Sequence, residues 1–309
     1  MLTATMVTFR ELFDCHFCVI FSGNYASDVS ASQQHATATV TSENLEIKGT
    51  KLKTYKRKTM QSNGRESDSD AQPAQTKRRL NGNAKPNVDV SLTPWCVPRL
   101  RLTNDDRADI TDNRMLNDDI IRAFQRLIKQ TYTSVLGWQS PAVGAHGTGY
   151  STIPGLSVQI HHNAHTHWLA SARTNAGIFV ADSLLRAPRS IETVQQFIDI
   201  YHDGKSATLD ITYLPCQLQF GSIQCGDFAI AWAATFARLI AANSSQQQLV
   251  QAFAQLTFDQ TKMRDHLLAC LKLGTFTMFP PARSAPRLGL ATPLTFRINC
   301  ATGTFKRRS

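Results

Sequence analysis

Gln219-Phe-Gly-Ser-Ile-Gln-Cys225-Gly226-Asp-Phe228 joins a turn-forming run to an apolar helical pattern, with a lone cysteine at the junction. From Cys225 onward, Phe228, Ala231, Trp232, Thr235, Phe236 and Leu239 fall on one side of a helix. A cysteine at a helix start meets unpaired N–H groups and the positive end of the macrodipole, which favour an anion, and the thiolate is the nucleophilic form. The ordinary alternative is a small buried hydrophobe, the reading we give Cys216 and Cys270. Gly226 keeps the approach to the sulfur open. Gln219, six residues before the cysteine, can reach back and offer its amide N–H to a developing oxyanion beside the Cys225 N–H.

Upstream lie strand signals. Residues 156–161 alternate, and residues 167–172 and 178–182 flank Arg173-Thr-Asn-Ala-Gly177, a Gly/Asn turn. A turn centred on 174–176 lets His167 face Asp182 directly or offset by two residues. Either register puts both side chains on one face, because side chains alternate along a strand. A carboxylate at that distance selects the imidazole tautomer and stabilises its protonated form. Taken singly, Asp182 would be a strand-end cap and His167 an interfacial histidine. His161, His162 and His165 cluster with His167, yet no carboxylate or cysteine accompanies them at ligand spacing. Cys15-x-x-Cys18 has no second ligand pair, so we expect neither a metal nor any other cofactor. Asp210 and Asp227 read as surface charges.

The remaining periodicities complete an α+β pattern. Asn117-Asp118-Asp119 leads into a helix with Ile120, Ile121, Phe124, Leu127, Ile128 and Tyr132 on one face and acidic residues at its positive end. A Gly/Pro/Ser-rich passage follows at 137–154. Residues 190–202 return to helical spacing, 207–214 alternate as a strand, and a last helix starts at Asp259 and stops at Gly274. The tail after Pro280 shows no periodicity. These elements give one domain over 94–282, preceded by a basic-clustered region over 1–93, rich in Ser, Thr, Gln, Asn and Lys from residue 23, that reads as largely disordered, and followed by a basic, flexible tail over 283–309.

The net charge of +10 looks like a nucleic-acid footprint until it is apportioned. Residues 94–282 carry 15 basic and 14 acidic side chains, residues 1–93 carry 12 and 9, and residues 283–309 carry 6 and none. Positive charge therefore sits on the flanks, where Lys56-Arg-Lys58 and Lys77-Arg-Arg79 read equally as solvated linker or as nuclear-import signals. No apolar run approaches the roughly 20 residues of a membrane helix, the first residues make a poor secretory signal, and the seven irregularly spaced cysteines fit a reducing compartment. We expect an intracellular protein, in nucleus or cytoplasm.

His167-Trp168, then Val180-Ala-Asp182-Ser183, then Pro215-x-x-x-Gln219-x-Gly-Ser-x-x-Cys225-Gly226 resembles the Ulp/sentrin-specific cysteine proteases, the ubiquitin-like protease family with a papain-like fold. The likeness runs from about residue 100 to 280. Leu116-Asn117-Asp118-x-Ile120-Ile121 resembles the family's substrate-side helix, and Phe258-Asp259-Gln260-x-Lys-Met263-Arg264-x-His266-Leu resembles the closing helix of its metazoan branch. The resemblance implies a mixed sheet packed against helices, with Cys225 as nucleophile, His167 as base and then acid, Asp182 orienting it, and Gln219 in the oxyanion hole. It also implies that Trp168 lines a narrow tunnel over a Gly-Gly tail and that Asp118 touches that tail, the partner being a ubiquitin-like modifier, SUMO-type foremost.

Three positions depart from the family pattern. Met115 stands where a tryptophan roofs the tunnel, Gln224 stands where an aspartate precedes the nucleophile, and Asp227 replaces an apolar residue. The leading expectation is a thiol isopeptidase or endopeptidase cutting after Gly-Gly. One rival is a weak or inactive protease-fold module, possibly derived from a mobile element, that binds modifiers or partners. The other is a nucleic-acid-associated protein that binds through its basic flanks.

Overall fold

The computed structural model describes residues 95–145, 149–163, 166–184, 190–282 and 288–308. Expectations for residues 1–93, including both basic clusters and Cys15/Cys18, and for His165 lie outside the described residues. In chain order the elements are α1 (Asn104–Thr111), α2 (Asp118–Thr131), β1 (Leu136–Gly137), α3 (Pro141–Ala145), β2 (Ser157–His162), β3 (Trp168–Thr174) and β4 (Gly177–Ala181). Then come α4 (Ile191–Tyr201), β5 (Thr208–Tyr213), α5 (Cys225–Ala241), α6 (Gln246–Gln255), α7 (Met263–Leu273), β6 (Leu294–Asn299) and β7 (Phe305–Arg307). The strands form one sheet in the order β1 to β7. The β1–β2 and β4–β5 pairs are parallel and the others antiparallel. This is the expected α+β architecture: a mixed sheet against helices, with Cys225 at a helix N-terminus.

Strand alternation divides the core in two. On one face Val158 and Ile160 of β2, Ala170 and Ala172 of β3, and Phe179 and Ala181 of β4 meet α2, α5 and α7. The alanines of β3 lie under α5, and their small side chains let the helix sit close to the sheet. Every residue of α5 except Arg238 and Ala241 is buried, as befits a helix apolar all round. Trp232 packs against Phe253 and Phe258 with ring centroids 5.0 and 4.8 Å away. On the other face Leu169, Ile178, Val180, Leu209, Ile211 and Tyr213 meet Val194, Phe197 and Ile200 of α4.

Helix ends follow local chemistry. Asn117 caps α2 by accepting from the Asp119 and Ile120 N–H groups, with Asp118 and Asp119 at its positive end. Thr103 and Asp106 form a capping box on α1. Gly274 ends α7 at φ 69°, in the left-handed region, and a side chain there would meet Val97 at 2.8 Å.

Two segments differ from the sequence reading. Residues 294–307, expected within a flexible tail, supply β6 and β7, so the sheet runs beyond the expected boundary at 282. Leu294, Phe296 and Ile298 alternate with Thr295, Arg297 and Asn299, and Phe296 and Ile298 are buried over α4's side of the sheet. Asp210 is part of this closure rather than a free surface charge. Arg297 donates to both of its oxygens, at 2.8 and 2.9 Å, and Arg308 donates at 2.6 Å. The Gly/Pro/Ser-rich passage also contains structure, β1 and α3.

His161 joins a buried chain of neutral groups on the α4 face. Its Nδ1 lies 3.1 Å from Gln196 Oε1, its Nε2 2.5 Å from Ser171 Oγ, and Ser171 Oγ 2.6 Å from the Tyr201 hydroxyl. Gln196 spends its amide N–H on the His162 carbonyl at 2.7 Å, so its oxygen faces the ring and Nδ1 must donate. Nε2 then accepts from Ser171, and Ser171 accepts from Tyr201. Burial pushes the His161 pKa down from 6.5 to about 4, against the opposing hydrogen bond to Gln196. Because the folded value is depressed, the neutral ring's stabilisation is complete above pH 6.5 and is lost as pH falls toward 4. Denaturant titrations from pH 7 to 4 should show the wild type losing about 3 kcal/mol more than His161→Gln. Equal slopes would mean that the ring is not held neutral.

Candidate active site

The three central groups come from three elements. β3 and β4 pair Ala170 with Ala181 and Thr174 with Gly177 around a two-residue turn. That register sets Asp182 opposite Leu169 and therefore two residues out of step with His167, the offset arrangement of the two expected. His167 Nε2 lies 2.7 Å from Asp182 Oδ1, and both side chains are buried. The loop before His167 is closed by Asn163, whose side-chain oxygen accepts from the Thr166 and His167 N–H groups at 3.1 and 2.9 Å.

A carboxylate can only accept, so Nε2 carries the hydrogen, and Nδ1 is the basic nitrogen of the neutral ring. Nδ1 is buried and makes no hydrogen bond. The Cys225 side chain lies close enough to act on this ring. Burial lowers the His167 pKa, but Asp182 and then Cys225 outweigh it and raise the value from 6.5 to about 9. The Cys225 thiol itself is buried and directs its hydrogen to the Thr166 carbonyl, 3.7 Å away. α5 begins at Cys225, and its N-cap residue Gln224 contributes no side-chain cap. The first-turn N–H groups are therefore not satisfied by a capping side chain, at the end of the helix where Cys225 stands.

Ser183 has a role that the sequence reading left unassigned. Its hydroxyl donates to Gln219 Oε1 at 2.6 Å, and its carbonyl accepts from the Gln219 N–H at 3.0 Å. The Asp182-Ser183 pair thus orients the imidazole with one residue and the glutamine with the next. Gln219 is buried with its amide nitrogen facing the turn, one N–H on the Gly221 carbonyl at 2.9 Å and the second not used by that bond. The neighbouring Phe220 is 61% exposed. Its backbone is fixed at both ends by Gln260, which accepts from its N–H at 2.8 Å and donates to its carbonyl at 2.7 Å.

The expected tail-side residues are linked through Leu116, which meets both Trp168 and Gly226. Trp168 is buried, and its Nε1–H donates to the Leu116 carbonyl at 3.0 Å. Met115 is partly buried against the main core, and Asp118 opens α2. Gly226 was expected to leave the sulfur open to approach. Its observed constraint is packing, because a Cβ there would meet Leu116 Cβ at 3.0 Å and Cδ1 at 3.1 Å. Glycine at 226 lets the segment before α2 close against the helix that begins at Cys225.

Asp227 is not a surface charge. It is buried, and Arg264 Nε donates to its Oδ2 at 2.7 Å. Burial raises its pKa to about 6 against the opposing pull of Arg264. A polar residue among apolar ones (Gly226, Phe228, Ala229) gave the only hint, because burial of a charge depends on a partner 37 residues away. Among the described residues no group of three or more His, Cys, Asp or Glu side chains is placed to hold a metal ion. The described cysteines, Cys96, Cys216, Cys225, Cys270 and Cys300, are all free thiols.

Comparison with known proteins found no matching family model and no matching curated protein. Among solved structures, the chain is similar to the SUMO protease Ulp1 with its catalytic cysteine oxidised to a sulfonic acid. The identity there is 15% over 57% of this chain and 86% of that one, with a TM-score of 0.39. It is similar to a de-sumoylating protease at 17% identity over 56% and 85% of the two chains, TM-score 0.42. It is also similar to the Xanthomonas campestris effector XopD bound to ubiquitin, at 16% identity over 60% and 96%, TM-score 0.31.

The balance at His167 is open to a direct test. Following the ring by NMR, we expect titration near 9 in the wild type. In Asp182→Asn the value should fall well below that of the wild type, because burial is then opposed by Cys225 alone. A ring that titrates at the same pH in both proteins would show that Asp182 does not control it.

Proposed function

We propose that this chain is a cysteine peptidase of the ubiquitin-like protease type, acting on isopeptide or peptide bonds that follow the C-terminal Gly-Gly of a ubiquitin-like modifier. The observation that carries the reading is the His167 ring. Its Nε2–H is committed to buried Asp182, and its bare Nδ1 stands beside a cysteine at the start of α5.

In this reading His167 Nδ1 takes up the Cys225 proton before attack, forming the imidazolium that Asp182 stabilises, and the sulfur attacks the scissile carbonyl as the thiolate. The oxyanion that forms is met by the Cys225 backbone N–H and the free amide hydrogen of Gln219. His167 then returns the proton to the departing amine, leaving a thioester on Cys225. Water attacks the thioester with His167 as base, which releases the modifier's carboxylate and restores the thiol. Asp182 keeps the ring in the tautomer that both steps need and stabilises the imidazolium between them. Trp168, packed by its indole N–H onto Leu116, and Met115 form the wall over the tail, and Asp118 contacts it. A tail of glycines suits a narrow passage of this kind in the proposed reading, since no side chain has to fit. SUMO-type modifiers are the first candidates, and the metazoan branch of the family is the one whose closing helix this chain resembles.

The competing reading is a binding module that keeps the fold without turnover. The burial of Cys225 and the placement of its thiol on the Thr166 carbonyl favour it, as do Met115 and Gln224. No described helix is long and apolar enough to cross a membrane. We propose an intracellular site of action, nucleus or cytoplasm, with the basic flanks as the sole route by which nucleic acid could be bound.

The deciding experiment incubates the full chain with a panel of modifiers carrying a C-terminal electrophile after Gly-Gly. At least one should form a covalent adduct that Cys225→Ala abolishes. In kinetics on that modifier, Gln219→Ala should lower kcat roughly 10²–10³-fold. Tight modifier binding with no adduct and no turnover would instead establish the binding module.

A further inference from the structure

Arg264 uses all three nitrogens of its guanidinium on four acceptors from three parts of the chain. Its Nε–H binds Asp227 Oδ2 at 2.7 Å, Nη1 binds the Asp109 carbonyl at 3.0 Å, and Nη2 binds the Arg114 carbonyl at 2.9 Å and the Ile223 carbonyl at 3.4 Å. The side chain is 12% exposed, and its carboxylate partner 1%. Asp227 sits two residues after the nucleophile in the first turn of α5, and Ile223 two residues before it. Asp109 ends on α1, and Arg114 directly precedes Met115 and Leu116.

We propose that Arg264, anchored on Asp227, is a positioning residue that holds the tail-side segment 113–118 in register with the turn bearing Cys225. The inference rests on the proposed peptidase function for its catalytic consequence, but not for its geometry. The segment has no regular structure between α1 and α2, and its course is set from several sides. Asn117 donates to Asp106 Oδ1 at 2.7 Å and Asp109 Oδ2 at 2.9 Å, which fixes its α1 side. The Leu116 carbonyl receives the Trp168 indole, and the Leu116 side chain rests on Gly226. Arg264 touches both this segment, at Arg114, and residues on either side of the nucleophile, at Ile223 and Asp227.

Geometry separates the parts of this role. A buried carboxylate could be satisfied by any cation, but reaching three backbone carbonyls while holding Asp227 takes the planar fork of an arginine. The departure at Asp227 and the arginine of the closing helix are thus two halves of one device. Asp227 fixes Nε, which aims Nη2 at the Arg114 carbonyl of the segment and Nη1 at the Asp109 carbonyl on α1.

Arg264→Lys tests this, because it keeps a cation for Asp227 and removes the fork. Hydrogen–deuterium exchange on the full chain should show amides at 113–117 exchanging at least about tenfold faster than in the wild type, with those at 229–239 unchanged. Labelling by the Gly-Gly electrophile should fall at least about tenfold. Alkylation of Cys225 by iodoacetamide, which needs no tail segment, should stay within about twofold of wild type. Unchanged exchange at 113–117 would overturn the proposal. So would faster exchange throughout with an equal loss of alkylation and labelling, which is the signature of general loosening. If the wild type takes up no Gly-Gly probe, the peptidase reading fails, and the exchange pattern alone decides whether Arg264 positions the segment.

Discussion

The hydrogen bond between His167 Nε2 and Asp182 Oδ1 is the constraint on which the site depends. It spans the open end of a hairpin, between the residue before β3 and the residue after β4, and the two-residue turn at the other end sets its register. A slip of one residue would turn one of the two side chains to the opposite face. Because both groups are buried, the bond determines which nitrogen carries the hydrogen, and hence which nitrogen is left for the cysteine. The same strand end continues into Ser183, which orients Gln219. One hairpin therefore positions three of the four central side chains, and α5 has only to deliver the fourth.

That delivery depends on packing. α5 is buried almost throughout and lies on the alanines of β3, so the height of Cys225 above the sheet is set by small side chains rather than by a loop. Gly226 and Leu116 then bring the segment before α2 against the helix. Arg264 ties the turn before Cys225, the turn after it and this segment to one guanidinium. Removing a partner from a buried pair of this kind strands a charge, at a cost of about 3–5 kcal/mol. For that reason Asp227 and Arg264 belong to the architecture of the site even though neither faces a scissile bond.

Much of this was legible in the residues. The helical faces of α2, α4 and α5, the alternation of β2 to β5 and the Gly274 stop are local patterns, and local patterns survive in a linear string. The His167/Asp182 register was legible to within two alternatives, since a short Gly/Asn turn leaves few choices. What escaped reading depended on partners distant in sequence. Asp227 looks like a surface charge until Arg264 is brought to it, and Ser183 has no evident role until the turn returns Gln219. β6 was missed for another reason. Its alternation is present, but it follows a long aperiodic stretch and its pairing with β5 joins residues more than 80 apart. Gly226 shows the reverse case, where the right residue was singled out for a reason, access to sulfur, other than the close contact it makes.

The account stands or falls on chemistry at one sulfur. Its most direct test is cleavage of modifier fusions extended beyond Gly-Gly, with the products weighed by mass spectrometry. A panel that includes SUMO-type and other ubiquitin-like modifiers covers the proposed substrate class. The account predicts that the wild type releases at least one modifier cut immediately after the second glycine, and that His167→Ala and Cys225→Ser release none. Intact fusions across the panel, or cleavage that persists without Cys225, would contradict it.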